Sequence, residues 1–251
     1  MTRPEEIAAA LARVRQRIAV AANAAGRAPD SIQLLAVSKK MPPADVTAAL
    51  AAGQLDFGEN YAQELRDKRA AVDALVAAGP GPTPTPTPRW HYIGPLQANK
   101  VKYVAGKVAL LHTVDSAGLL DEIDRRSAGG APQSCLVQVN VAGEARKHGV
   151  APEALPALLD RFAALAQVRC AGLMLIPPFV DDPETSRPHF AALRALRDAE
   201  RARPRPHVEL THLSMGMSHD LEIAIAEGAT LVRVGTAIFG ERSVSGQPSS
   251  L

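Results

Sequence analysis

Eight short apolar runs alternate with longer Ala/Leu/Arg/Glu-rich stretches along this chain, and that alternation restricts the fold more than any other feature. The runs are Gln33–Ser38, Gln54–Gly58, Trp90–Gly94, Ala109–Val114, Cys135–Val141, Val168–Ile176, Val208–Ser214 and Leu231–Gly235. Several are apolar on successive residues, as expected of parallel strands buried on both faces. The intervening stretches read as helices at Pro43–Ala52, Asn60–Ala77, Gln97–Ala105, Ser116–Ala128, Pro152–Ala166, Thr185–Arg203 and Asp220–Glu227. A further helix precedes the first run, from Pro4 to about Ala25. It has Ile7, Leu11, Val14 and Ile18 at helical spacing, and Gly26 closes it. The pattern predicts an α/β fold: a single (β/α)8 TIM-type barrel with an extra N-terminal helix. The 251 residues match the ~250 that such a barrel needs. An open doubly wound sheet fits less well, because no Gly-x-Gly-x-x-Gly follows the first strand.

Hydrophobic residues make up 47% of the chain but aromatics only 4%, so Leu, Val, Ile and Ala must fill the core. With 28 Lys+Arg against 26 Asp+Glu, the net charge of +2 argues against a nucleic-acid groove or an anionic membrane patch. No apolar stretch reaches the ~18 residues of a membrane span. The opening helix also lacks the apolar core of a signal peptide. A soluble cytoplasmic protein is expected. Cys135 and Cys170 open apolar runs without metal-ligand spacing, which reads as buried free thiols and no metal site. Residues 79–88, rich in Pro, Thr and Gly, read as a surface insertion in one continuous domain of residues 1–251. The end of the chain, from about 243 to 251, reads as a flexible tail.

In such a barrel the reactive groups lie at the C-terminal ends of the strands and on the loops that follow. Lys39, Glu59-Asn60, Ile93-Gly94-Pro95, Asn140, Met174, Ser214 and Gly235-Thr236 all fall at such ends. Lysine and arginine are rarely buried unless paired or used, so Lys39 and Arg233 at strand positions need an explanation. Gly/Ser/Thr turns at Ser214–Ser218 and Gly235-Thr236 occupy the loops after strands seven and eight, a recurrent phosphate site in this architecture. An amine, a guanidinium and a phosphate cradle together suggest a pyridoxal phosphate site.

Periodicity alone leaves Lys39 and its neighbour Lys40 both open as the reactive amine. For Arg233 the plainer reading is a buried ion pair with Glu222 or Glu209. For Asn60 it is a helix cap. His91, His112 and His212 read as core or rim histidines rather than catalytic bases.

These residues resemble the pyridoxal phosphate homeostasis protein family, the single-domain relatives of the alanine racemase N-terminal barrel. The resemblance rests on residues 35–39 (LAVSK), 57–64 (FGENYAQE), 90–100 (WHYIGPLQANK), 173–174 (LM), 213–218 (LSMGMS) and 232–240 (VRVGTAIFG). It covers the chain from the first helix to about Arg242. It implies pyridoxal 5'-phosphate held as a covalent aldimine on Lys39, which selects Lys39 over Lys40. It further implies phosphate contacts from Ser214, Gly235 and Thr236, Arg233 facing the pyridine nitrogen, and Asn60 and Met174 in the cofactor shell.

Members of the family bind and buffer the cofactor, affecting vitamin B6 balance. The expected function is therefore intracellular homeostasis without robust turnover. The expected partners are the small-molecule cofactor and pyridoxal-phosphate-dependent apo-enzymes, with no nucleic acid or membrane, and the chain is expected to be a monomer. The alternative is an amino-acid racemase-like enzyme. That reaction needs a second acid/base group, and Tyr61, Tyr92 and Tyr103 all belong to barrel segments. A cofactor-free Schiff-base aldolase would leave Arg233 and the phosphate loops without a joint role. The departures from the family pattern are Ala98, His219 and the Pro-Thr insertion.

Overall fold

The computed structural model describes residues 1–78, 86–144 and 148–241. Eight parallel strands close into a barrel in sequence order, β1 pairing with β8. They are β1 (Gln33–Val37), β2 (Asp56–Glu59), β3 (Arg89–Tyr92), β4 (Leu110–Val114), β5 (Gln133–Gln138), β6 (Val168–Met174), β7 (Val208–Ser214) and β8 (Leu231–Val234). The helices are α1 (Arg3–Ala24), α2 (Pro43–Ala51), α3 (Ala62–Ala77), α4 (Ala117–Arg126), α5 (Leu155–Ala163), α6 (Arg187–Arg201), α7 (Leu221–Ala226) and α8 (Thr236–Phe239). Each expected strand is present, its ends within three residues of those expected. The expected helix at Gln97–Ala105 is instead a run of 3-10 turns, Ala98–Tyr103, with Gly106 at φ 70° shortly after it. Most of the 79–88 insertion and all of the 243–251 tail lie outside the described residues.

Alternation along the strands divides the apolar residues into two layers. The larger lies between barrel and helices and includes Phe57, Trp90, Val137 and Leu213. A small layer, Leu110, Leu136, Met174 and Leu231, forms a separate apolar cluster inside the barrel. The extra helix α1 is not a loose appendage: Ile7, Leu11 and Val14 are buried. Arg3 binds Asp45 of α2 at 2.6 Å and donates to the Phe239 carbonyl of α8 at 2.8 Å. Cys135 and Cys170 are register neighbours across β5 and β6, and both are free thiols.

Two glycines allow strands to approach where a side chain could not. A Cβ on Gly94 would lie 2.0 Å from the Asn60 carbonyl oxygen, and one on Gly172 would lie 2.0 Å from that of His212. Gly94 thereby fixes where Asn60 sits at the rim.

Candidate functional site

β1 ends at Val37, and Lys39 follows in the turn that the Met41 N–H closes onto the Ser38 carbonyl. Val37 and Lys39 both line a cleft of about 330 Å³ at the C-terminal mouth of the barrel. Lys40 turns away. It takes φ 62°, is exposed, holds its ammonium 5.9 Å from the Tyr61 ring centroid, and borders a separate outer groove. Geometry thus separates two lysines that periodicity left open.

The cleft's other walls come from several loops: Asn60 after β2, Ile93 after β3, Met217 and Ser218 after β7, and Gly235 and Thr236 after β8. Asn60 does not cap α3; Tyr61 holds that position. Its Oδ1 is buried and has no hydrogen-bond partner among the described residues. Thr236 Oγ1 donates to Ser218 Oγ at 3.3 Å, so two hydroxyls meet on one wall.

Arg233 lies deeper, 5% exposed, and still reaches the cleft. The plainer alternative for it, an ion pair with Glu222 or Glu209, does not form. Glu222 binds Arg17 at 2.6 Å, and Glu209 is exposed. Instead Arg233 donates Nη1 to Ser214 Oγ at 2.7 Å and Nη2 to the Leu175 carbonyl at 2.9 Å. Burial lowers its pKa to about 10, which leaves it cationic at neutral pH.

The structure does not bring Ser214 or Met174 onto the cleft wall. Ser214 is fully buried and faces the interior, where its hydroxyl serves Arg233 and His112. Met174 is fully buried in the inner apolar layer. The strand runs to Ser214 itself, and Gly216, at φ 91°, turns the chain before Met217 and Ser218 reach the cleft. Ser218, not Ser214, is the hydroxyl beside Thr236. Asn140 borders an adjoining cleft of about 230 Å³, which shares Asn60, Ile93, Ile176 and Pro177 with the first.

The turn that carries Lys39 is anchored by a charged cluster that sequence reading missed. Lys68 of α3 is 5% exposed, and Glu59 is fully buried. The Lys68 ammonium donates to the Ser38 carbonyl at 2.6 Å, to Glu59 Oε1 at 2.7 Å and to Glu64 Oε1 at 2.8 Å. The Ser38 hydroxyl donates to Glu59 Oε1 at 2.7 Å, and the Lys40 backbone N–H donates to Glu64. Ser38 and Lys40, on either side of Lys39, are thus both held. A signal was available: Leu65, Lys68 and Val72 fall on one helical face, and all three are buried.

Residues 9–243 match the model of the alanine racemase N-terminal domain family. The pyridoxal phosphate homeostasis protein of Aquifex aeolicus is 45% identical over 233 residues, 92% of this chain and 96% of that protein. The protein of that name from Escherichia coli K12 is 40% identical over 245 residues, 96% and 98% of the two chains. The chain belongs to this family. A solved relative, PipY of Synechococcus elongatus with PLP bound, is 36% identical, with a TM-score of 0.78 over 93% of this chain and all of that one. Alanine racemase of Corynebacterium glutamicum shares the fold at 16% identity, with a TM-score of 0.65 over 98% of this chain and 64% of that one. Family membership agrees with the resemblance read from the motifs.

Proposed function

We propose that this chain binds pyridoxal 5'-phosphate as a Schiff base on Lys39 and serves intracellular vitamin B6 homeostasis, holding the cofactor without robust turnover. One observation carries the reading: the Lys39 amine, the Arg233 guanidinium and the Ser218–Thr236 hydroxyl pair converge on a single cleft. The residues present fit the group. The cleft volume suits a small ligand. Gly235 presents no side chain to the cleft wall beside Val37. Asn60 Oδ1 offers an unused acceptor. When bound, the cofactor supplies an aldehyde that condenses with an amine. Lys39 supplies that amine, and Arg233, as a permanent donor, keeps the pyridine nitrogen unprotonated. The phosphate is assigned to Ser218, Gly235 and Thr236.

Ser218→Ala should weaken cofactor binding by about 1.5–3 kcal/mol, the scale of a hydrogen bond to a charged group. Equal affinities in an equilibrium titration would remove Ser218 from the phosphate site.

The racemase-like alternative requires an acid/base group facing the substrate opposite Lys39. No tyrosine lines either cleft among the described residues. Tyr61 is exposed, and the buried Tyr92 donates its hydroxyl to the Pro95 carbonyl at 3.1 Å. Proton transfer would have to use His219 or Asp220 of the same cleft, or His148 or His189 of the adjoining one. His219 is bound to the Asp181 carbonyl at 2.9 Å, Asp220 accepts from Ser186 and the Met217 N–H, and His148 lies 3.6 Å from Asp115. The loaded protein should therefore racemise alanine no faster than free cofactor mixed with an inert protein. Turnover at ordinary enzyme rates, around 1–10³ s⁻¹, would establish the racemase reading instead.

The proposal includes a cytoplasmic monomer that passes cofactor to pyridoxal-phosphate-dependent apo-enzymes. No helix among the described residues is long and apolar enough to cross a membrane.

A further inference from the structure

Arg233 is one end of a chain of buried polar side chains that crosses the barrel interior. Its Nη1 lies 2.7 Å from Ser214 Oγ, and Ser214 Oγ lies 3.0 Å from His112 Nδ1. His112 Nε2 lies 3.0 Å from His91 Nδ1, and His91 Nε2 lies 3.1 Å from Asp56 Oδ1. Asp56 opens β2 at the opposite, N-terminal end of the barrel, where Arg89 grips both its carboxylate oxygens at 2.8 and 2.6 Å. His91, His112 and Ser214 are each 3% exposed or less. Five groups from β2, β3, β4, β7 and β8 thus form one line from the barrel floor to the cleft.

The two ends fix its direction. Arginine can only donate, and an ionised carboxylate can only accept. Burial works to raise the Asp56 carboxyl, but hydrogen bonds from His91, Arg89 and Gln33 outweigh it and hold the group well below the usual carboxylate range. Ser214 accepts from Arg233, so its own hydroxyl hydrogen goes to His112 Nδ1. His112 is then protonated on Nε2 and donates to His91 Nδ1, and His91 donates from Nε2 to Asp56. Burial, with the nearby His91 and Arg233, keeps His112 neutral. The reverse arrangement strands the Ser214 hydroxyl hydrogen with no acceptor among the described residues, in a core where an unmade hydrogen bond is expensive.

We propose that Asp56, His91, His112 and Ser214 are positioning residues for Arg233: a one-way hydrogen-bond relay spans the barrel and fixes the guanidinium that faces the cleft. The relay has a single satisfied protonation pattern, so a change at Asp56 is felt at Arg233 although no contact links them. It goes beyond cofactor binding and accounts for the two histidines and the serine that the cofactor cleft leaves unused.

The first readout needs no ligand. In ¹⁵N-histidine-labelled protein at pH 7.5, two-bond ¹H–¹⁵N correlations should show both His91 and His112 as neutral Nε2–H tautomers. A cationic His91, or Nδ1 protonation of either ring, would overturn the relay. In Asp56→Leu, which leaves no acceptor at that position, both rings should leave that state together, although His112 does not touch residue 56. A change confined to His91, or no change in either ring, contradicts the proposal. Should Asp56→Leu not fold, the wild-type tautomers decide.

The second readout rests on the cofactor reading. Asp56→Leu and Ser214→Ala should each weaken pyridoxal phosphate binding roughly tenfold, one buried hydrogen bond's worth. Because both break the same line, the double variant should be no weaker than either single one. Independent losses multiplying to about a hundredfold would show that Asp56 acts on binding by a route that does not pass through Ser214, and would overturn the relay.

Discussion

Lys68→Met should lower the melting temperature by roughly 6–20 °C at neutral pH, a loss of about 3–5 kcal/mol of stability. Methionine fills the space of the lysine stem but leaves Glu59, fully buried, without its counter-charge. One Glu59 oxygen already has no hydrogen-bond partner among the described residues, so little remains to compensate. The deficit should depend on pH in a definite direction. Burial raises the Glu59 carboxyl above its usual value even beside Lys68 and Ser38. A carboxyl with a raised folded-state pKa stabilises the fold fully below its unfolded value, and that contribution is lost as pH rises through the folded value. Without Lys68 the folded value rises further. The difference between variant and wild type should therefore be largest above neutrality and shrink toward pH 5. A melting temperature within 2 °C of wild type at pH 7.5 would show that the cluster contributes nothing.

The second large effect concerns ligand retention. Lys39→Ala should abolish the near-visible absorbance of the loaded protein, and the phosphate ester should then wash out on gel filtration. The covalent link depends on one amine, and the remaining contacts are ordinary hydrogen bonds. Lys40 cannot substitute, because its backbone is left-handed at φ 62° and its side chain borders the outer groove. The fold should survive, since Lys39 sits on a half-buried turn while its neighbours Ser38 and Lys40 remain tied to Lys68, Glu59 and Glu64. An unchanged spectrum in this variant would mean that the amine lies elsewhere.

The barrel was legible because its signal is local. Each strand is an apolar run, each helix has its own periodicity, and eight repeats leave little choice of topology. Lys39, Arg233 and Gly235-Thr236 were legible because cations at strand positions and glycine turns at strand ends are unusual in themselves. Ser214 and Ser218 were not separable, because the end of the strand at Ser214 was legible but the side on which its last side chain lies was not. Ser214 closes β7 fully buried, and the turn at Gly216 carries the cleft-facing hydroxyl four residues along. Met174 was misplaced for a related reason. A strand-end residue can face the mouth or the inner apolar layer, and only packing against Leu110, Leu136 and Leu231 decides which. The partners of Arg233 were out of reach altogether. Local reading offered a carboxylate or the cofactor, whereas the fold supplies a hydroxyl from β7 and a carbonyl just after β6. Lys68 and Glu64, four residues apart, look like a solvated surface pair. The burial of Lys68 follows from the approach of Ser38 after β1 and Glu59 of β2.

One measurement bears most directly on the claim that Lys39 holds the cofactor. The purified protein, loaded with pyridoxal 5'-phosphate, is reduced with borohydride, digested and mapped by tandem mass spectrometry across the Lys39-Lys40 bond. The account predicts a single phosphopyridoxyl group on Lys39. Label on Lys40, or label scattered over exposed lysines with none at residue 39, would contradict it.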